Sequence, residues 1–265
     1  MRQCLFCSSI KLNHEHIWPN WIVKQFRHRL PNHRGYRVKQ TRNDRTIVSV
    51  SANLEHTTRA VCKPCNEGWM SRVEAAAKPE LTSLIHFAVG IRPITIEAQL
   101  ILSVWSTLRS MVFESLLPVE QRLFTQQNRE AFKAMLEPAD DSDRPFELPV
   151  RSFVWLTMLT GAETNARLNI TTGRSGDQPG TDVHLANFSI GQAYFQQLAL
   201  GEGAIFGDLD KARMHEATTR LWPSQDIDLQ WPPSFRLDVA DWPAFAQRFF
   251  GIEGIDDPGA SHASD

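Results

Sequence analysis

The chain has 265 residues, is 42% hydrophobic, and carries 28 Lys+Arg against 30 Asp+Glu for a formal net charge of −2. Such a composition excludes a wholly disordered chain and supports either one large core or a small metal-stapled module beside a conventional domain. The near-neutral total hides a division: residues 1–72 hold 13 Lys+Arg and 4 Asp+Glu, a net of +9, which leaves 15 against 26, a net of −11, for residues 73–265. Only the N-terminal part is built to attract polyanions.

The first residues offer Arg2 and two cysteines in place of an apolar signal region. The most apolar later stretch, near Ile101 to Leu117, is interrupted by Arg109 and Glu114. Neither an export signal nor a membrane span is expected, and the default location is the cytoplasm, where paired CxxC cysteines bind metal more often than they form disulfides. All four cysteines fall in two such pairs, Cys4-Leu5-Phe6-Cys7 and Cys62-Lys63-Pro64-Cys65. Two residues between thiolates let both sulfurs converge on one ion, and two such turns complete a closed tetrahedral zinc site with no position left for substrate. Four reduced cysteines that only happen to be so spaced are the other reading.

Between the pairs lies His14-Glu15-His16-Ile17-Trp18-Pro19. A helix is expected over Ile17–Leu30 from the spacing of Ile17, Trp18, Trp21, Ile22, Phe26 and Leu30, with Pro31 and Gly35 punctuating a loop after it. Tyr36 and Val38, then Ile47, Val48 and Val50, read as two short strands joined by an Asn43-Asp44 turn. Lys24, Arg27, Arg29, Arg34, Arg37, Lys39, Arg42 and Arg45 face one acid in this stretch, Asp44. They are candidate contacts to nucleic-acid phosphates, which give affinity without reading sequence; a solvated basic loop is the bland alternative. Cys65-Asn66-Glu67-Gly68-Trp69 then leads into a short helix, Met70 to Lys78, which Pro79 is expected to interrupt. Pro19, Trp21 and Trp69 are read as packing anchors, and for Trp18 and Trp21 core packing is favoured over stacking on exposed bases.

The order CxxC, Glu-His-Ile-Trp-Pro, CxxC-Asn and Gly-Trp-Met over residues 1–78 resembles the zinc-stapled branch of the HNH endonucleases, whose core is a beta-beta-alpha-metal fold. The resemblance implies a metal-dependent endonuclease acting on phosphodiester bonds, with DNA preferred as substrate on this ground alone. It implies that His16 is the general base, that Glu15 helps to hold a catalytic divalent ion (Mg, Mn or Ni), and that Asn66 completes the metal site or orients a hydrated ion. An Asn-Leu pair stands closer to the second CxxC in many members; here Asn53-Leu54 lies farther upstream, with His56 between as another candidate ligand. In an extended segment His14 and His16 share a face and Glu15 points away, which conflicts with a shared ion unless the strand ends or bulges there; the resemblance implies a turn at Glu15-His16, with His14 flanking the groove or binding phosphate. The readings beside a nuclease centre are polar residues that brace the cysteine knuckle, and a module that binds nucleic acid or assembles without cutting.

Beyond Pro79, a short helix is expected over Leu81–Val89, a stronger one over Ala98–Leu117, and another over Val119–Leu136, followed by an acidic loop from Glu137 to Arg144. Strands are expected at Phe153–Met158, Ala166–Thr171 and Val183–Ile190, with Phe195–Leu200 extending the sheet, and a helix at Trp242–Phe250. No Walker-type loop, dinucleotide fingerprint or GxSxG motif is present, and Asp208, Asp210, Asp226 and Asp228 read as a solvated acidic surface. The expected architecture is α+β: an HNH-like zinc module over residues 1–78, a mixed helical and antiparallel-sheet domain over 79–257, and a tail over 258–265. The larger domain is left to select substrate, form a homodimer or bind a protein partner.

Overall fold

The computed structural model describes residues 3–26, 36–42, 45–51, 57–85, 91–137, 147–148, 150–160, 167–174, 182–204, 218–238 and 240–241. The architecture is mixed α/β, with a cysteine cluster at one region and a larger assembly of helices and sheet. Strand β1 (Leu12–His16) precedes helix α1 (Asn20–Phe26), then strands β2 (Tyr36–Arg42) and β3 (Arg45–Ser51). Strand β4 (Thr57–Cys62) returns antiparallel to β1, placing Cys62 opposite Leu12 and Thr57 opposite His16. A one-turn helix, α2 (Lys63–Cys65), and a widened turn at Asn66–Met70 lead into α3 (Ser71–Ile85).

Helix α3 corrects two expectations. Pro79 lies inside it, and the residues expected to start a separate helix at Leu81 belong to the same element. Proline cannot donate to the carbonyl of Ala75. The break is offset by burial of Leu81, Leu84 and Ile85 beyond it, and the Ser83 hydroxyl donates to the Pro79 carbonyl at 2.9 Å. Helix α1 likewise starts later than expected, at Asn20, because Pro19 supplies the first carbonyl, accepting from the amides of Ile22 and Val23.

Strand β5 (Arg92–Ile94) precedes α4 (Ile96–Phe113), which is capped by the Thr95 hydroxyl on the amide of Ala98. Buried residues run around most of the circumference of α4, as expected for a helix enclosed by other layers. The helix expected over Val119–Leu136 is in fact a single 3-10 turn, Val119–Gln121, and a separate α5 (Gln126–Leu136). The cause lies outside the segment. The Glu114 carboxylate accepts from the amides of Leu123 and Phe124 at 2.8 and 3.3 Å, which holds them out of a helix, and Thr125 with Asn128 forms a capping box that starts a new one.

Strands β6 (Arg151–Thr160), β7 (Arg167–Arg174), β8 (Asp182–Ile190) and β9 (Ala193–Leu200) form the centre of the large sheet; β10 (Thr219–Trp222) lies on one side and β2 and β3 on the other, in the order β10-β6-β9-β8-β7-β2-β3. Gly191, at φ 59°, leads the two-residue turn between β8 and β9, where a left-handed first position suits glycine. Strand β11 (Leu229–Trp231) pairs with β5, and β12 (Leu237–Asp238) runs parallel to the end of β6. Strand β2 pairs parallel with β7, Lys39 opposite Asn169, so the insertion between the two cysteine pairs extends the large sheet.

The core is built on aromatic contacts across these layers. Phe188 of β8 stacks on Phe195 of β9 at 5.3 Å and meets Trp105 and Phe113 of α4 at 5.8 and 5.4 Å. Trp18 joins the same cluster, 5.7 Å from Phe113 and 6.0 Å from Phe188, which assigns it to packing. Among the described residues, no helix is long and apolar enough to cross a membrane. The expected helix at Trp242–Phe250, the loop at 138–144, the tail at 258–265 and Asp208 and Asp210 lie outside the described residues.

Candidate metal centre

Antiparallel pairing of β1 with β4 brings the two CxxC turns together, because one precedes β1 and the other ends β4 and forms α2. The four Sγ atoms lie within 4.8 Å of one another, with Cys7 3.6 Å from Cys62 and 3.9 Å from Cys65. A zinc ion with Zn–S bonds of about 2.3 Å sets tetrahedral sulfur separations of about 3.8 Å, so the residues fit that ion. The amides of Phe6 and Cys62 both donate to Cys4 Sγ, at 3.5 and 3.3 Å, and favour a thiolate there. Bound, the ion would be held by Cys4, Cys7, Cys62 and Cys65 and would supply structural cross-linking.

The electrostatics favour a cation at this point. Burial pushes the Cys4 thiol up to about 11 and raises Cys65 as well, with the neighbouring Cys4 adding to the latter rise. Burial works in the same sense on Cys62, but hydrogen bonds from the Cys65 amide and from the neighbouring thiols outweigh it and lower that group. A divalent ion is what allows all four to ionise together. On α5, burial alone would lower Lys133, yet negative charge at Cys65, Glu137 and Cys7 raises it, which marks its ammonium as a neighbour of the cluster. Trp69 closes the centre from the helix side, edge-on to Phe6 at 4.9 Å and to Phe132 at 6.1 Å, as its reading as an anchor requires.

The residues between the cysteine pairs divide by face. The register of β1 against β4 slips between Asn13 and Glu15, so that Arg59 and Ala60 together oppose His14. Glu15 is buried, whereas His14 is exposed and His16 half-buried, in keeping with strand alternation that sends Glu15 one way and the two histidines the other. The Arg109 Nη1 of α4 donates to Glu15 Oε1 at 3.3 Å, and its Nη2 lies 2.8 Å from Glu74 Oε1 of α3. Burial lifts the Glu15 carboxyl above its usual range; Arg109 opposes the rise and Glu74 adds to it. On the exposed face the Arg59 Nε donates to His14 Nε2 at 2.9 Å, and Thr57 Oγ1 is 3.5 Å from His14 Nδ1.

Asn66 sits half-buried immediately after Cys65, where α2 gives way to the widened turn, and its amide donates to the carbonyl of Lys63. Among the described residues, the cysteines are the only group of three or more His, Cys, Asp or Glu side chains close enough to share an ion. Trp21 is half-buried, with the Lys78 ammonium 5.8 Å from its ring centroid. Of the basic candidates, Lys24 is exposed on α1, Arg37, Lys39 and Arg42 are on β2, and Arg45 opens β3 opposite Arg42. Arg27, Arg29, Arg34, Asn53, Leu54 and His56 lie outside the described residues.

Two charged groups escaped the reading of the sequence. Arg109 stood out only as a break in an apolar run, and its partners come from β1 and α3. Glu114 accepts from Arg129 of α5 at 2.7 Å and lies 3.2 Å from Nδ1 of His184, whose Nε2 is 2.9 Å from the Ser110 hydroxyl. Comparison of the chain with protein-family models, with curated proteins and with solved structures finds no match in any of the three. The metal centre stands on its own geometry.

Proposed function

We propose that this chain is a zinc-stapled module that binds nucleic acid without cutting it, the cysteine cluster fixing the fold and the basic side chains of the N-terminal part holding the phosphate backbone. The observation that carries this reading is the engagement of Glu15. The carboxylate that a nuclease would use for its ion is buried and held by Arg109, which also faces Glu74. A fixed guanidinium already supplies the positive charge that a divalent ion would bring to it. The net charge of +9 over residues 1–72 and the basic β2–β3 hairpin at the end of the sheet order support attraction to a polyanion.

A metal-dependent endonuclease, with His16 as general base and Glu15 and Asn66 at a catalytic divalent ion, is the second reading. It draws support from the antiparallel β1–β4 pair followed by a helix, with a cysteine pair on either side of the strands. Its cost is that Glu15 must leave Arg109 and turn to the face that carries His16.

The experiment compares wild type and His16→Ala, matched for zinc content, on plasmid, linear duplex and single-stranded DNA with Mg, Mn, Ni or no added divalent ion. Salt-sensitive binding with no cutting by either protein is the expected result. Metal-dependent cutting confined to wild type overturns it in favour of the nuclease.

A further inference from the structure

The exposed face of the β1–β4 ribbon carries a polar set that neither the zinc centre nor the basic hairpin uses. Its residues are His14 and His16 on β1 and Thr57 and Arg59 on β4. The bulge creates the set. Because Arg59 and Ala60 both oppose His14, Ala60 turns into the core and Arg59 stays exposed beside the imidazole.

The Arg59 side chain is held in place. Its Nε donates to His14 Nε2 at 2.9 Å, which requires that nitrogen to be an acceptor and leaves Nδ1 to carry the proton toward Thr57 Oγ1 at 3.5 Å. On β4 the Ala60 carbonyl accepts from the Leu5 amide at 2.9 Å, and the Thr58 side chain is tied to that of Ser115, hydroxyl to hydroxyl at 3.1 Å. Cys62, three residues on, belongs to the metal cluster. A guanidinium anchored through Nε keeps its two Nη groups for a ligand, and among the described residues no carboxylate pairs with them.

We infer that Arg59, oriented by His14 and flanked by the Thr57 hydroxyl, is a contact site for a phosphodiester group of the bound nucleic acid. Planar, paired N–H donors match two oxygens of one phosphate, and a hydroxyl beside them adds a neutral donor. Because the guanidinium is already ordered, little side-chain freedom is lost on binding. Arg59 lies outside the basic run from Lys24 to Arg45, so the inference extends the contact surface to the ribbon that carries the zinc centre. It rests on the nucleic-acid-binding reading above.

The test measures the affinity of the full chain for a short mixed-sequence DNA duplex as a function of salt, using wild type, Arg59→Ala, Arg59→Lys, His14→Phe and Lys39→Ala. Arg59→Ala is expected to weaken binding about tenfold and to lower the slope of log affinity against log salt by about 1. Arg59→Lys keeps the slope but binds more weakly than wild type, because the charge remains without the paired donors. His14→Phe behaves like Arg59→Lys, since it frees the guanidinium without removing its charge. If Arg59→Ala binds with the wild-type affinity and slope while Lys39→Ala is weakened, the inference is overturned and the binding reading stands. If wild type itself does not bind the duplex, the binding reading fails and the inference with it.

Discussion

The guanidinium of Arg109 lies 3.3 Å from the carboxylate of Glu15, although the two residues belong to different layers, a buried helix and a short strand beside the cysteines. Glu74 approaches the same guanidinium at 2.8 Å. One buried cation therefore joins β1, α3 and α4. Removing it leaves two carboxylates facing each other with reduced access to water. Arg109→Met is expected to lower unfolding free energy by about 3–5 kcal/mol, as for other buried pairs stripped of one partner. Glu15→Gln keeps the shape and the Arg109–Glu74 pair, and is expected to cost about 1–3 kcal/mol. Urea denaturation of both variants checks the ranking, and a wild-type midpoint for Arg109→Met contradicts it.

The cysteine cluster predicts a metal-dependent fold. Purified protein is expected to carry about one zinc per chain, bound by four thiolates. Cys65→Ser, which removes a buried ligand while leaving its size nearly unchanged, is expected to lose most of the zinc and a large part of the thermal stability. Elemental analysis and a thermal melt of the same sample report both. Metal-free wild type that melts at the same temperature as the loaded protein would remove the structural role.

The cysteine pairs were legible because their signal is local: two residues of spacing fix the geometry whatever the rest of the chain does. The hairpin from Tyr36 to Ser51 was legible for the same reason, through β-branched residues on either side of a polar turn. Its neighbour was not, since parallel pairing of Lys39 with Asn169 depends on residues far along the chain. The break in the helix expected over Val119–Leu136 was hidden in Glu114, whose carboxylate captures amides nine and ten residues later. The Glu15–Arg109 pair shows the same limit at the site. An acidic residue beside a histidine gives no sign in the sequence of the guanidinium that another layer brings to it from 94 positions along the chain.

His184 makes a prediction about acid. It is wholly buried, and burial together with the positive charge of Arg129 pushes it down to about 3 from its ordinary 6.5. Over that range the unfolded chain binds more protons than the folded one, so this contribution to stability is lost as pH falls from 6.5 through 3. Glu114 acts in the opposite sense. Burial, opposed by Arg129 and two amides, lifts it from 4.5 to about 7, so its contribution falls as pH rises across that window. The two largely cancel between pH 4.5 and 6.5, which leaves His184 dominant below 4.5. His184→Asn is expected to make the acid limb of unfolding free energy shallower by about one proton between pH 3 and 4.5. Urea titrations at matched zinc content read this slope, and an unchanged slope contradicts the assignment.

Phe188 stands at the meeting point of β8, α4 and the segment carrying Trp18. Phe188→Ala is expected to cost about 3–5 kcal/mol and to loosen Trp18, read as a red shift in tryptophan emission before global unfolding. Phe153, stacked on Trp155 at 5.6 Å and less buried, provides a comparison: its alanine variant is expected to cost less and to leave the Trp18 contacts in place.

The parallel seam between β2 and β7 also sets an order of events during synthesis. The hairpin leaves the ribosome early, but the strand that receives it is made only after α3, α4, α5 and β6. At translation rates of roughly 5–20 residues per second, that interval is on the order of ten seconds. For that time the basic hairpin has no neighbour in the large sheet to pair with. The density of Lys and Arg on these strands, argued above as a feature of binding, would also keep nascent chains from associating through their open edges.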